Sequence, residues 1–442
     1  MPPQFTSNDA LLETRIAVSA LTQLNLMAMY PRICITNYEP GAFEVGNEVK
    51  IRRPRRRRAT DLNPRAGAGS FSEAGFFSGT VTLDRLWFDG WVTYGVDSRQ
   101  TIERYVAETG SQMADAIATP NDEYMNSLFT TWTATTGTVR LGANAPIGLS
   151  ACVDSATGQL TNFNSSGLTA AGVVLDKENV PKADRYALIS PVAGGAFLSD
   201  SIAITGFAAS TIGSGQVIQE GMRNFIPRFG FSVGTSNVIS SQNAITDLDA
   251  AVGAQGTLPI NTVASNTTFN YDDMGTVATP VNVGAVNLTL TCSSSLSSSV
   301  AVGQIARIGT SNSVKAFGVI LRISTATPTA PVVTLVPFAP NGTKLTATDI
   351  VAGTDLFSIP SIPSINTVNH REGLLMATRR IAEPTPGSGA VGASVTDPDT
   401  NLTIQVFRGN YDTGTVSEKN AYYMLTGSRI SDFRKCALIL SL

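Results

Sequence analysis

The chain has 442 residues, 43% of them hydrophobic and only 15% charged, so it can fill two or more cores and is disordered at most locally. Charge this far below the roughly 25% of an ordinary soluble domain leaves a surface of neutral Ser, Thr, Asn and Gly, or one covered by partners. Covered surface is the better reading, because large monomers gain solubility from charge. A net charge of -3 argues against a general nucleic-acid binder, which needs a broad positive face.

Asn8 or Asp9 can cap a first helix whose apolar positions Leu12, Ile16, Ala20 and Leu24 recur every four residues, with Pro31 as its stop. It is expected to lie on a neighbouring copy. Phe43, Val45, Val49 and Ile51 then alternate as a strand, interrupted at Gly46 and Asn47, that runs straight into Arg52, Arg53, Pro54, Arg55, Arg56, Arg57 and Arg58. Residues 59 to 79 are Gly-rich and free of Lys, as suits a flexible tip, and Phe71, Phe76 and Phe77 in it are candidates to dock on another surface. A second strand spans Val81 to Val96. Asp89 and Gly90 offer a hairpin turn within it, but a single bent, bulged strand carrying Trp87 and Trp91 is preferred. An arginine run bracketed by two strands is a charged hairpin arm, and such an arm needs a receiver outside the subunit. That points to assembly rather than catalysis.

Asp97 or Ser98 caps the next helix, with Gln100 or Thr101 in the third-residue position, and Ile102, Tyr105, Val106, Met113 and Ile117 form its apolar face. Pro120 either kinks this helix or begins another through Tyr124, Leu128 and Trp132. Residues 134 to 167 read as loops with short strands. Thr169 is read as the cap of a helix ending near Asn179, followed by Pro181 and a strand from Tyr186 to Ile189. From 237 to 365 the window holds 10 charged side chains and no helical period. Alternation at Val286 to Cys292, Phe317 to Ile323 and Val333 to Pro337 predicts a small β-sandwich or barrel inserted in the chain. A helix is expected over Val368 to Ile381, then strands at Leu402 to Phe407, Tyr422 to Leu425 and Ala437 to Leu440.

The basic residues comprise 24 Arg and 7 Lys, and arginine's planar fork suits interface ion pairs better than lysine's hydrated point charge. Cys34, Cys152, Cys292 and Cys436 are far apart and form no CxxC pair, so they read as small buried hydrophobes of a reducing compartment. Neither a basic, apolar leader nor an apolar run long enough to span a bilayer is present, and cytosol-like surroundings are expected.

Four stretches in order resemble one family. They are Gly46, Asn47, Val49, Ile51, Arg52, Arg53 and Pro54; Val81 to Val96 leading into Ser98 to Tyr105; Leu175 to Pro191 with Asn179, Val180, Pro181, Arg185, Tyr186 and Ser190; and Asn369 to Arg379 followed by Asp399 to Asp412. Together they resemble the major capsid proteins of tailed phages with the Hong Kong 97-like fold, in the coat-protein branch typified by the short-tailed Salmonella phage, which carries an extra β domain. The resemblance implies an α+β chain in five parts. Residues 1–42 would be the N-terminal arm and 43–80 the extended loop. Residues 81–189 would be the peripheral domain with a spine helix at about 98–132. The axial domain would take 190–236 and 366–442, with some peripheral strands, and 237–365 would be the inserted all-β domain. It also implies hexamers and pentamers of an icosahedral shell around double-stranded DNA, assembled in the host cytoplasm. The implied partners are copies of the chain, a separate scaffolding protein, a portal protein and a possible decoration or cement protein, with no membrane. The chain departs from the pattern at Pro120 and in its four extra arginines.

Arg52, Arg53, Arg55, Arg56, Arg57 and Arg58 could pair with carboxylates of a neighbouring subunit, form a solvated arm, or bind nucleic acid, in that order of preference. Some capsids of this fold link an arm Lys to a neighbour's Asn, but Lys50 is the only Lys from 43 to 80 and sits at the base, so a non-covalent shell is expected. Residues 1–42 are too few for a fused scaffold. No enzyme and no cofactor are expected: His370 is the only histidine, a GxSxG elbow and phosphate-cradling loops are missing, and Asp397 and Asp399 lack the Gly and Glu of a calcium loop and read as a turn around Pro398. The rival is a β-rich phage or bacterial surface protein binding a glycan or receptor, which would expose aromatics on 237–365.

Overall fold

A computed structural model of the chain describes residues 7–36, 48–54, 76–94, 102–130, 148–154, 156–199, 226–228, 230–249, 256–266, 287–292, 295–324, 331–343, 345, 347–381, 391–397, 400–412 and 417–442. Helix α1 (Ser7–Met27) presents Ile16, Ala17, Ala20, Leu21 and Leu24 as a buried stripe. A short turn of helix, α2 (Tyr30–Ile33), follows with Pro31 in its first turn, where the missing N–H costs nothing. The stripe packs on α3 (Ile102–Thr130) of the same chain, so the expectation that this helix lies on a neighbouring copy is corrected. The crossing is close: a Cβ at Gly110 would sit 2.6 Å from Ser19 Oγ and 3.0 Å from the Ala20 amide. Glycine there lets two helix backbones meet.

Helix α3 runs through Pro120 without ending. Proline removes the donor that would meet the carbonyl of Ala116. Ala116 is exposed, so water can satisfy that carbonyl at little cost. The expected caps at Asp97 and Ser98 lie outside the described residues.

Strands β1 (Glu48–Pro54) and β2 (Phe76–Thr82) form a two-stranded sheet, while β3 (Arg85–Tyr94) pairs along the length of the late strand Ser417–Ile430. The span expected as one strand is thus broken at Leu83–Asp84, and Asp89–Gly90 lies inside β3 rather than in a turn.

A mixed sheet of seven strands is built from β4 (Gly148–Ala151), β5 (Arg185–Ile189), β6 (Ile226–Arg228), β7 (Phe231–Thr235), β8 (Ser240–Gln242), β15 (Ile362–His370) and β20 (Cys436–Ser441), in the order β4-β20-β15-β5-β7-β6 with β8 against β15. Helix α4 (Ser165–Lys177) packs on β4 and β20, and α5 (Pro191–Ser199) follows β5. Asn164, not Thr169, caps α4, accepting from the Gly167 amide at 3.2 Å. Thr169 instead donates to the Ser165 carbonyl inside the helix.

The expected helix over Val368 to Ile381 is absent. The segment is the end of β15, a 3-10 turn at Arg371–Gly373, and β16 (Leu374–Arg379). Leu374 to Thr378 are all buried, and a strand covered on both faces reads as an unbroken apolar run that periodicity cannot tell from a buried helix. β16 joins β17 (Val391–Thr396), β18 (Thr403–Asp412) and β19 (Ser417–Ile430) in a sheet ordered β16-β19-β18-β17, with β3 also on β19.

Between β8 and β15 lie β9 (Leu258–Asn266), β10 (Asn287–Cys292), β11 (Ile305–Gly309), β12 (Val314–Ser324), β13 (Val332–Phe338) and β14 (Leu356–Ser358), which close into an antiparallel barrel ordered β10-β13-β12-β11-β14-β9. Leu258, Leu288, Leu290, Ile320, Val333, Leu335 and Phe357 fill one core. Val314, Phe317, Val319, Leu321, Val336 and Phe338 pack instead into the core that holds α1, α3 and Leu438. The barrel is therefore apolar on two sides and seated on the body.

Candidate assembly surface

The arm is the β1–β2 hairpin, in register from Glu48 opposite Thr82 to Pro54 opposite Phe76. Among the described strands it pairs with no third one. Arg52 stands opposite Ser78 and Arg53 opposite Phe77. Arg55, Arg56, Arg57, Arg58 and Phe71 lie outside the described residues. Phe76 and Phe77 were expected in the tip but open β2, because aromatic residues join a ladder readily; the connecting segment is therefore 55–75.

Where the arm leaves the body it is clamped. Val81 and Leu83 are buried with Leu375 and Ala377, and Ile35 and Leu425 pack against them. A Cβ on Gly427 would lie 2.1 Å from the Thr82 carbonyl oxygen, so β2 passes directly over that glycine.

Next to the root, β3 turns Trp87 and Trp91 toward the core and leaves Leu86, Phe88 and Val92 exposed, Phe88 at 60%. The Phe88 ring is 5.1 Å from Tyr423, which is 5.4 Å from Phe407 on the next strand. These cross-strand contacts make an aromatic row on the outer face of the sheet. Sequence reasoning missed it because apolar residues occupy both faces of β3, and only the alternation of tryptophans with Leu86 and Phe88 marked two surfaces. Arg85 sits 4.9 Å from the Tyr124 ring centroid, and Tyr422 donates to Asp89 at 2.8 Å. Burial, with Asp89 next, raises the phenol's pKa, so Tyr422 keeps its proton.

Behind this face the N-terminal helices are latched to α3. Asp122 accepts from the Met29 amide at 2.8 Å and the Tyr30 amide at 3.3 Å, satisfying donors that α2 leaves open. Burial pushes its carboxyl up to about 7, against the pull of those two bonds. The Tyr30 hydroxyl donates to Asn126 Oδ1 at 2.8 Å and meets Thr367 at 3.0 Å. Asn126 in turn donates to Val238 O and Ser240 Oγ. One buried network thus ties α2, α3, β8 and β15 together.

Groups that could carry chemistry have structural duties. His370 Nδ1 accepts from the Glu372 amide at 3.2 Å, capping the 3-10 turn, and burial with nearby Lys435 lowers its pKa. Glu372 is bonded to Lys435, which holds its carboxyl below the usual range. Asp397 accepts from the Thr400 amide and closes the turn between β17 and β18, while Asp399 lies outside the described residues. Cys34, Cys152, Cys292 and Cys436 are all buried and none is in a disulfide, and burial pushes the Cys292 thiol up to about 12. Among the described residues no His, Cys, Asp and Glu group could hold a metal, and no helix is long and apolar enough to cross a membrane. Of the aromatics in 237–365, Phe317, Phe338 and Phe357 are buried, while Phe269 and Tyr271 lie outside the described residues.

No protein-family model matches the chain, and no curated protein matches it. Solved structures do. One from Mycobacterium phage Che8 is 11% identical with a TM-score of 0.40, over 93% of this chain and 90% of that one. The capsid structure of cyanophage P-SCSP1u is 9% identical with a TM-score of 0.43, over 94% and 88%. The capsid of a native GTA particle is 10% identical with a TM-score of 0.38, over 96% and 90%.

Proposed function

We propose that this chain is the major capsid protein of a tailed double-stranded DNA phage, a Hong Kong 97-like subunit that self-assembles into hexamers and pentamers of an icosahedral shell enclosing the genome. The observation that carries the reading is the arm: a hairpin with no third strand among those described, rooted by tight packing at Gly427 and leading into Arg55 to Arg58. A hairpin alone is marginal in water, so an arm of this kind gains its stability from what receives it. The exposed row Leu86, Phe88 and Val92 beside its root is a further surface suited to burial between subunits.

In this reading residues 1–42 are the N-terminal arm, 43–80 the extended loop, 81–189 the peripheral domain with α3 as spine, and 190–236 with 366–442 the axial domain. Residues 237–365 are the inserted domain, whose barrel can brace the subunit or receive a decoration protein. Many modest interfaces sum to a stable closed shell, each weak enough to correct during growth. The arm arginines form bidentate pairs with carboxylates of an adjoining copy. A separate scaffolding protein, a portal protein and non-specific contact with packaged DNA complete the partners, assembly taking place in the host cytoplasm.

Replacing Arg55, Arg56, Arg57 and Arg58 by Ser tests this. The variant should fold with an unchanged circular-dichroism spectrum yet form shells poorly or not at all. Normal shells from it would overturn the arm's role.

A further inference from the structure

Three buried polar groups along one seam have no hydrogen-bond partner among the described residues: both side-chain polar atoms of Asn121, the Trp87 indole nitrogen and the Thr426 hydroxyl. Asn121 is 1% exposed and Thr426 fully buried. They belong to α3, β3 and β19, three elements that pack on one another.

Contacts on either side bring the three together. Asp115 of α3 is near enough to Tyr422 to raise its pKa, and Met125 Sδ receives the Ser428 hydroxyl at 3.2 Å. From 115 to 125 the helix advances about 15 Å, and from 422 to 428 the strand about 20 Å. Tyr124, three residues after Asn121, is flanked by Arg85, which pairs with Thr426, and by Trp87, so position 121 is brought to this same stretch of the sheet. Asn121 also precedes Met125 by four residues, so both lie on the face toward β19. On the other strand, Trp87 pairs with Met424, while Arg85 pairs with Thr426, which makes Trp87 and Thr426 diagonal neighbours on one face. The Trp87 ring lies 6.4 Å from Tyr124, one turn beyond Asn121.

We propose that this seam is a buried water site, in which an ordered water or a pair of them links Asn121, Trp87 and Thr426. The chemistry of the three groups selects the ligand. The indole N–H can only donate, the amide offers both donors and an acceptor, and the hydroxyl offers one donor and two lone pairs. A water accepts from Trp87 Nε1–H and Asn121 Nδ2–H and donates to Thr426 Oγ1, the three or so bonds a buried water ordinarily makes. An ion is disfavoured because the site's own groups are neutral and the nearby charges are engaged elsewhere, Asp89 with Tyr422, Arg85 over Tyr124 and Asp84 with the Tyr124 hydroxyl. Left dry, buried donors and acceptors would stay orphaned, which native proteins avoid.

The test has two arms on the full chain. A map of the protein fine enough to display ordered water should carry a peak within hydrogen-bond distance of Trp87 Nε1, Asn121 and Thr426; an empty seam in such a map overturns the proposal. Denaturant midpoints supply the second arm. Thr426→Val should lower the midpoint while Thr426→Ser preserves it, and Thr426→Val combined with Asn121→Leu should lose less than the sum of the two singles, because both act on the same water. A raised midpoint for Thr426→Val, or strict additivity of the pair, marks a dry seam and contradicts the site. Should the valine variant fail to fold, the map alone decides.

Discussion

Asp122 is the residue on which the N-terminal helices depend. With a folded pKa near 7, above the usual 3.8, the folded chain holds a proton that the unfolded chain has lost across that interval. Linkage then fixes the sign: its contribution is fully favourable below about pH 4, falls as pH rises toward 7, and is flat above. Asp122→Asn cannot titrate, so its unfolding midpoint should decline less between pH 5 and pH 8 than that of the natural chain. Equal declines in the two proteins would show that another group sets the slope. Asp122→Ala is the harsher change, leaving the Met29 and Tyr30 amides without an acceptor at about 1–3 kcal/mol each. None of this was legible in the sequence, where Asp122 is one acid on a helix; its meaning comes from α1 folding back along α3.

Among the elements, the hairpin root makes the sharpest demand. Gly427→Ala must push β2 off β19, since its new Cβ would stand 2.1 Å from a backbone oxygen that no side-chain rotation can move. We expect a cost of about 1–3 kcal/mol in denaturant unfolding and arms that reach their receiver poorly, seen as fewer shells. An alanine variant as stable and as competent as the natural chain would mean that β2 does not lie over Gly427. The outgoing strand before the arginine run could be read ahead of the structure because Val49 and Ile51 alternate with polar residues at period 2, whereas the returning strand, expected from Val81, begins at Phe76. The same period marked β10, β12 and β13. It failed where burial is two-sided: Leu374 to Thr378 reads as helix but is strand. Asn366 and Asn369 disguised β15, since polar residues suit a core strand only beside partners that folding brings to them, here Ser190 N, Ile439 O and Ile33 O. The exposed row on β3 was hidden for the converse reason, an outer face as apolar as the inner one.

At the scale of the whole molecule, the low charge now divides into two parts. Some apolar surface is consumed within the chain, where the outer side of the barrel is seated on the body through Phe317, Val319 and Phe338. The rest stays outside, as the Phe88 row and as Val192 on α5. A hairpin arm, an exposed apolar sheet face and few charges suit the burial among copies proposed above; of these only the low charge was legible from composition, while the sheet face was not. What composition could not supply was the seat of α1, which lies on its own chain. The most direct test is the size of what the full chain forms, viewed by gel filtration and negative-stain images with and without a scaffolding protein. Closed particles far larger than a trimer are the predicted result; monomers or trimers that persist even with a scaffold supplied would contradict the shell.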